Sequence, residues 1–250
     1  MAEKPSPGTI PACGFQRWSD LTFLHWKLDP DQIQTLLPPE LTVQTWDGSA
    51  WMGVVLFSME RVRPWWSPPV PGISWFLETN VRTYVQHQNG ETGVWFFSLD
   101  ANARVAVTVG RTLWNLNYRL SKMSMNLREE AGNQILHYTG SRFRSPLAEY
   151  DITATVSQNE PEKTAVVGTL EYFLAERYRL FAQDHRGELF AGLVDHTPYP
   201  VRSAQVRHCT QTLTTSPFQG SECDNPGLPS HAMFCHGVDV RIGCLKKVAS

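Results

Sequence analysis

The chain has 250 residues, 42% of them hydrophobic and 18% charged, and a formal net charge of −2. This length corresponds to one large domain or two small ones, and the composition excludes a disordered or collagen-like chain. The near-neutral charge argues against a nucleic-acid partner, because nucleic-acid-binding surfaces are normally basic.

The N-terminal residues 1–16 are rich in Pro, Gly and Ser and are predicted to form a flexible arm ahead of a single domain over 17–250. They lack the apolar core of a secretory signal, and no nearby segment is long enough to span a bilayer. We therefore expect a cytoplasmic protein with no membrane partner, whose cysteines are reduced thiols.

A short helix comes first and hairpins follow it. Asp29 and Pro30 are typical of an N-cap and a first helical residue, and Pro38-Pro39 ends this helix. Turn signals then predict three hairpins, which join residues 41–46 to 50–62, 77–87 to 93–100, and 118–128 to 134–144.

A second helix is predicted over residues 102–114, between the last two hairpins. Val105, Val109, Leu113 and, less clearly, Val107 lie on one side of it, and Asp100 is expected to cap it.

Later segments continue the β pattern, with strands predicted at 152–156, 177–182, 188–193 and 238–242. Residues 168–175 stay open between helix and strand, and residues 214–231 are predicted to be loop. The fold class is therefore α+β, predominantly antiparallel β, with a few short helices.

The most informative segment is the strand at 77–85. Side chains alternate along a strand, so Glu78, Asn80, Arg82 and Tyr84 share one face. This face is either solvated or the wall of a buried polar pocket. The facing residues 93–97 are apolar on both sides, which favours burial, and an interior ion pair between Glu78 and Arg82 would then need a functional reason.

Several stretches resemble the YqjF-like family, an uncharacterised group within the acetoacetate decarboxylase-like superfamily. They lie at residues 23–26, 36–39, 48–54, 70–72, 78–85, 93–100, 173–178 and 237–240. The resemblance implies a barrel-like antiparallel β-fold that encloses a pocket. In the decarboxylases a Lys in this pocket forms a Schiff base with a β-keto acid, and a neighbouring cation activates its amine.

The position of that lysine is changed in this chain. Gly110 and Arg111 match the decarboxylase motif, but Tyr118 and Arg119 stand where its two lysines would be. Neither side chain forms a Schiff base, and Lys122 is the only nearby amine, about 13 Å along the strand from Tyr118.

An acid–base or anion-binding pocket remains as the leading hypothesis. Candidate catalytic residues are Glu78, Arg82, Tyr118 and Arg119, with Lys122 as a weaker candidate. Candidate ligand-binding residues are Asn80, Tyr84, Trp95 and Phe97. The ligand would be a small organic acid or carbonyl compound; the alternative is a non-catalytic binding module for an apolar small ligand.

Other constellations carry less information. Four of the five cysteines lie within residues 209–250, but they contain no Cys-x-x-Cys pair, so no metal site is predicted. No phosphate-binding loop or dinucleotide motif occurs, so no cofactor is expected.

His25 and His196 are either pocket residues or hydrogen-bonded structural residues. Trp65-Trp66 forms either an exposed patch or a loop tucked over the fold. A homo-oligomer is possible through an exposed sheet edge.

Overall fold

The computed structural model describes residues 11–144, 148–218 and 227–248. Strands dominate these residues, and three short α-helices and one 3-10 turn interrupt them. The helices are α1 (Pro30–Gln34), α2 (Arg104–Leu113), α3 (Leu170–Ala175) and a 3-10 turn (Ser216–Phe218). The strands are β1 (Ala12–Leu28), β2 (Leu41–Val43), β3 (Thr45–Trp46), β4 (Ser49–Pro64), β5 (Phe76–His87), β6 (Thr92–Ala101), β7 (Tyr118–Glu130), β8 (Asn133–Arg142), β9 (Glu149–Ser157), β10 (Lys163–Thr164), β11 (Arg179–Gln183), β12 (Leu189–His196), β13 (Pro200–Gln211), β14 (His231–Gly243) and β15 (Lys246–Lys247).

The strands form one continuous sheet that closes on itself. Pairing of β5 with β6 completes a ring in the order β5, β6, β11, β12, β14, β1 and β4. Almost all neighbours are antiparallel, and β6 makes the parallel pairs with β7 and β11. The predicted α+β class with a mostly antiparallel sheet is confirmed, and the sheet is ring-like.

β6 forks the sheet. One edge of β6 pairs with β5 along most of its length, with a bulge opposite Val81 and Arg82. On the other edge, Val94 and Trp95 pair with β11, whereas 99–101 pair with β7. Residues 96–98 therefore lie where the two parallel neighbours separate.

A large apolar cluster fills the inside of the ring. It takes alternate residues from each strand, because successive side chains point to opposite faces. Phe23, Trp51, Tyr84, Leu99 and Val240 are members of it and are all nearly inaccessible to solvent. Apolar clusters on the outer faces bury the other side of several of these strands, so parts of the sheet are covered on both faces.

The second and third predicted hairpins are confirmed, and the first is only partly right. The turn at Asp47-Gly48 does join β3 to β4, but Leu41–Val43 pairs with β5 instead. Asp29 caps α1 through its side chain, as predicted, and residues 168–175 resolve to the helix α3. The strand β13, within residues 200–211, was not predicted.

The predicted N-terminal arm is wrong over part of its length. β1 begins at Ala12 and pairs with β14 along residues 12–25, so residues 12–16 belong to the sheet. Residues 1–10 lie outside the described residues.

Cys13 and Cys244 form a disulfide that ties the start of β1 to the residue after β14, with Cα atoms 5.2 Å apart. The expectation of reduced thiols is therefore wrong at these two positions. Cys209 and Cys235 are free thiols, and Cys223 lies outside the described residues.

At the surface, one expectation is corrected and one open alternative is decided. Val105, Val109 and Leu113 are exposed, and α2 instead buries Val107 and Gly110. Trp65 and Trp66 are 65% and 71% exposed, so they are not tucked over the fold. Among the described residues, no helix has the length and apolar character needed to cross a membrane.

Candidate functional site

The predicted polar face of β5 points into the ring. Glu78, Asn80, Arg82 and Tyr84 are each less than a tenth exposed. Their neighbours across the β5–β6 pairing are Ala101, Leu99, Phe96 and Val94, which belong to or pack against the inner apolar cluster. Of the two alternatives left open by the sequence, the buried face is the observed one.

Glu78 is paired with a tyrosine. The Tyr118 hydroxyl donates a hydrogen bond of 2.7 Å to Glu78 Oε2. Burial raises the pKa of Glu78 to about 7, although hydrogen bonds from Tyr118 and Asn80 partly oppose the increase. The same burial, together with the Glu78 carboxyl, raises the pKa of Tyr118 well above its usual value. At neutral pH this carboxyl can therefore either give or take a proton.

Local structure holds Tyr118 in place. It is the first residue of β7 and lies beside Leu99 of β6 in parallel pairing. Its ring packs on Gly110 of α2 so closely that a Cβ at Gly110 would lie 2.3 Å from Tyr118 Cδ2. The glycine of the motif thus provides the space that the tyrosine ring occupies.

Arg82 is a buried cation that has no carboxylate partner among the described residues. Its Nη2 donates to the Leu174 carbonyl at the end of α3 at 3.0 Å, and the Tyr84 hydroxyl donates to the same carbonyl at 2.9 Å. Arg82 Nε has no hydrogen-bond partner among the described residues. The ion pair with Glu78 that was considered for a buried face does not occur among the ion pairs of the described residues.

Aromatic rings surround the Arg82 guanidinium. Its Cζ lies 5.6 Å from the ring centroids of both Phe23 and Tyr84. Arg177 is a partly buried guanidinium beside Tyr84, with its Cζ 5.1 Å from that ring, and desolvation lowers the pKa of Arg177 to about 10. Arg177 lies in the matching stretch 173–178 but was not predicted as a site residue, because its position depends on the fold of α3.

His25 completes this part of the site. It is fully buried, and its Nδ1 lies 3.3 Å from Nδ1 of His231. Burial, with His231 and Arg82 nearby, lowers the pKa of His25 well below its usual value, so the ring is neutral. Gly53 makes room for this packing, because a Cβ there would lie 3.2 Å from both the His25 ring and the Tyr84 hydroxyl.

Three of the predicted residues, Trp95, Phe97 and Arg119, lie on the outer face of β6 and β7, away from the inside of the ring. Arg119 follows Tyr118 along the strand and therefore points outward, and it lines an outer cavity together with Trp95 and Phe97. The bulge in β6 places Phe97 on this outer side. The structure thus divides the predicted residues between two places rather than joining them at one.

Asp100 has a different role from the predicted one. The N-cap of α2 is Ala103, and no side chain caps this helix. Asp100 instead accepts a hydrogen bond of 2.7 Å from Arg142 Nε, in an ion pair with both side chains almost inaccessible. Arg142, on β8, was not identified from the sequence.

Lys122 is exposed and pairs in register with Ser141 at the β7–β8 edge. Lys122 therefore lies away from the inner polar cluster, by which we mean Glu78, Arg82, Tyr84, Tyr118 and His25. Among the described residues, no group of three or more His, Cys, Asp or Glu side chains is arranged to hold a metal ion.

Several solved structures with a similar fold are acetoacetate decarboxylases or acetoacetate decarboxylase-like enzymes. The chain is similar to acetoacetate decarboxylase from Legionella pneumophila (TM-score 0.61, 16% identity, 100% of this chain and 92% of that one). It is also similar to an acetoacetate decarboxylase-like enzyme from Sphingomonas wittichii RW1 (TM-score 0.64, 12% identity, 100% of both chains). A third similar structure is the enduracididine biosynthesis enzyme MppR in complex with pyruvate (TM-score 0.59, 11% identity, 96% and 92%). The class of the fold is therefore acetoacetate decarboxylase-like.

The chain belongs to the DUF2071 family, described as an uncharacterized conserved protein, which it matches over residues 15–239. It is 32% identical over 199 residues to the uncharacterized protein YqjF of Bacillus subtilis strain 168, covering 80% of this chain and 79% of that protein. The family resemblance seen in the sequence is confirmed.

Proposed function

We propose that the inner polar cluster binds a small carboxylate that carries a carbonyl group, such as a 2-keto or 3-keto acid. The observation that carries this proposal is the Arg82 guanidinium, which is buried and has no ion pair with any described residue. A buried charge is costly unless a counter-charge or hydrogen bonds compensate it, and a ligand carboxylate supplies both.

Glu78 is the acid–base group of this proposal. Its pKa of about 7 keeps both protonation states populated near neutral pH. With the ligand carboxylate on Arg82, Glu78 would exchange a proton with the carbon next to the carbonyl group. Tyr118, by donating to Glu78 Oε2, would keep that oxygen in place.

This chemistry needs no Schiff base. By the motif resemblance, Tyr118 and Arg119 would stand where the decarboxylases have their lysines, and Lys122 is exposed. We therefore expect borohydride reduction in the presence of acetoacetate or pyruvate to leave the intact mass unchanged. A stable adduct on Lys122 would instead favour the decarboxylase mechanism.

The similar folds support a ligand of this class. MppR was solved with pyruvate, and two other neighbours are acetoacetate decarboxylases or relatives of them. These molecules belong to those proteins, and they make pyruvate and acetoacetate the first probes for this chain.

A cavity of about 490 Å³ lies near the start of β1 and the end of β4, and neither Glu78 nor Arg82 lines it. His196 lines this cavity, and its ring centroid lies 4.4 Å from that of Tyr199. Tyr199 packs on Phe23, the ring beside Arg82. The cavity thus lies a few packed rings away from the guanidinium.

Titration with pyruvate and acetoacetate tests the proposal. We expect saturable binding by calorimetry and at least about tenfold weaker binding in Arg82→Met, because a charge-assisted hydrogen bond contributes about 1.5–3 kcal/mol. Arg128→Met, which removes an exposed arginine from β7, is the control and should bind as the wild type does.

A second measurement separates the acid–base role from binding. Deuterium exchange at the methyl group of bound pyruvate, followed by NMR, should be lost in Glu78→Gln while binding persists. Binding that is equal in the wild type and Arg82→Met would contradict the proposal. Binding of apolar ligands that survives both variants would instead favour a non-catalytic apolar-ligand module.

A further inference from the structure

The fork at β6 contains a cavity of about 270 Å³ on the outside of the ring. Its floor is the stretch of β6 that neither β7 nor β11 covers, and the start of β7 and the end of β11 form its sides. Trp95, Phe97, Asn117, Arg119, Arg142 and Phe181 are among the lining residues. Asn117 Nδ2 donates to the Phe97 carbonyl at 2.7 Å and so ties the residue before β7 to β6.

Positive charge exceeds negative charge at this cavity. Arg119 and Arg142 both line it, and the nearby carboxylate of Asp100 is bound by Arg142. All three side-chain nitrogens of Arg142 donate hydrogen bonds. Beyond the bond to Asp100, Nη2 donates to Ser98 Oγ at 2.7 Å and Nη1 donates to Ser216 Oγ at 3.1 Å.

Arg119 is the arginine of this cavity that has no bound partner among the described residues. Its side chain forms no hydrogen bond or ion pair with any described residue, although it is only partly accessible. Burial and the neighbouring Arg142 and Arg111 lower the pKa of Arg119, and the nearby Asp100 carboxylate only partly opposes this. A guanidinium in this position attracts an anion and presents two parallel donors to it.

The cavity wall beside Arg119 is aromatic. Trp95 and Phe97 are partly accessible on the outer face of β6, and Phe181 is buried behind them. Rings of this kind pack favourably against a flat apolar ligand. A volume near the lower end of the range for small-molecule sites fits a single ring.

We propose that this outer cavity is a second binding site, specific for a small aromatic carboxylate of the benzoate class. The carboxylate would bind Arg119, and the ring would pack against Trp95 and Phe97. The site is separate from the inner cluster, because Tyr118 and Arg119 are consecutive residues of one strand and point to opposite faces.

Titration with 4-fluorobenzoate, observed by fluorine NMR, tests this site. We expect saturable binding to the wild type and at least about tenfold weaker binding to Arg119→Met, with Arg119→Lys between them. Benzyl alcohol, which has the ring without the charge, should bind more weakly than the acid. Circular dichroism checks that the variants are folded.

Two matched variants make the outcome specific. Arg82→Met, which changes the inner cluster, and Arg128→Met, on the exposed part of β7, should both bind 4-fluorobenzoate as the wild type does. Loss of binding in Arg82→Met with retention in Arg119→Met would overturn the proposal, because the ligand would then occupy the inner cluster.

Absence of saturable binding to the wild type at millimolar concentration would also overturn it, as would equal weakening in Arg119→Met and Arg128→Met. Pyruvate binding measured on Arg119→Met keeps the two proposals apart. It should be unchanged whether or not the outer site exists.

Discussion

Glu78 shows how the inside of the ring changes the chemistry of one residue. Burial raises its pKa, while Tyr118 and Asn80 stabilise the ionised form in part. The result is a carboxyl that titrates near neutral pH, far from the usual range of a glutamic acid.

This shift predicts a pH-dependent stability. An unfolded chain loses the Glu78 proton near pH 4.5, but the folded chain keeps it until about pH 7, so the free energy of unfolding falls by about 3 kcal/mol as pH rises between these values. Stability from this group is thus fully present below pH 4.5 and is lost by the time pH passes the folded pKa.

Glu78→Gln should remove this part of the profile. Urea unfolding of both proteins across the same pH range measures it, and the difference between the two curves cancels the opposite contribution of His25, whose pKa is lowered. Parallel curves for the two proteins would show that Glu78 titrates normally in the folded state.

At the scale of the element, α2 depends on the glycine that faces β7. In most helices Gly→Ala is stabilising by up to about 1 kcal/mol. Here the Ala methyl would lie 2.3 Å from the Tyr118 ring, and the ring is fixed by its hydrogen bond to Glu78.

We therefore expect Gly110→Ala to lower the free energy of unfolding by about 1–3 kcal/mol, as overpacked cores do. Thermal unfolding measures the change. Thr112→Ala, at an exposed position of the same helix, is the control and should leave stability unchanged or slightly higher. A stabilised Gly110→Ala variant would show that the Tyr118 ring can move aside.

Helix and strand positions differ in how far the sequence predicts them. Hairpins with a strong turn signal, such as Asn89-Gly90 between β5 and β6, were predicted because the signal is local. β1 was missed because residues 21–26 are buried on both faces, which removes the alternation that marks a half-buried strand. The face of α2 was predicted wrongly, since Gly110 carries no hydrophobic signal yet must point inward.

In the candidate site, too, local patterns were predicted correctly and long-range contacts were not. Alternation along β5 placed Glu78 and Arg82 on one face, and the structure buries that face. The hydrogen bond from Tyr118 joins residues 40 positions apart, and Arg142 reaches Asp100 from 42 positions away. Such contacts depend on the order of strands in the ring, which local patterns do not contain.

At the scale of the whole molecule, the disulfide joins the two ends of the fold. Cys13 and Cys244 are separated by 231 residues, so the bond closes nearly the whole chain into one loop. A cross-link of this span restricts the unfolded chain strongly and is expected to stabilise the folded state by about 2–5 kcal/mol.

Peptide mapping without reduction should find the peptides of Cys13 and Cys244 linked. Cys13→Ser should lower the urea midpoint to that of the reduced wild type, whereas Cys209→Ser, which changes a free thiol, should leave it in place. Unlinked peptides, or equal midpoints for Cys13→Ser and the wild type, would contradict this expectation.

The adjacency of Tyr118 and Arg119 has a consequence for how the family can vary. If both proposed sites exist, substitutions at either residue adjust one without touching the other, because the two side chains project from opposite faces of β7. Insertion or deletion of a single residue just before Tyr118 would instead exchange the two faces and disturb both sites together. Length changes in this segment should therefore be far rarer among functional relatives than changes of residue type.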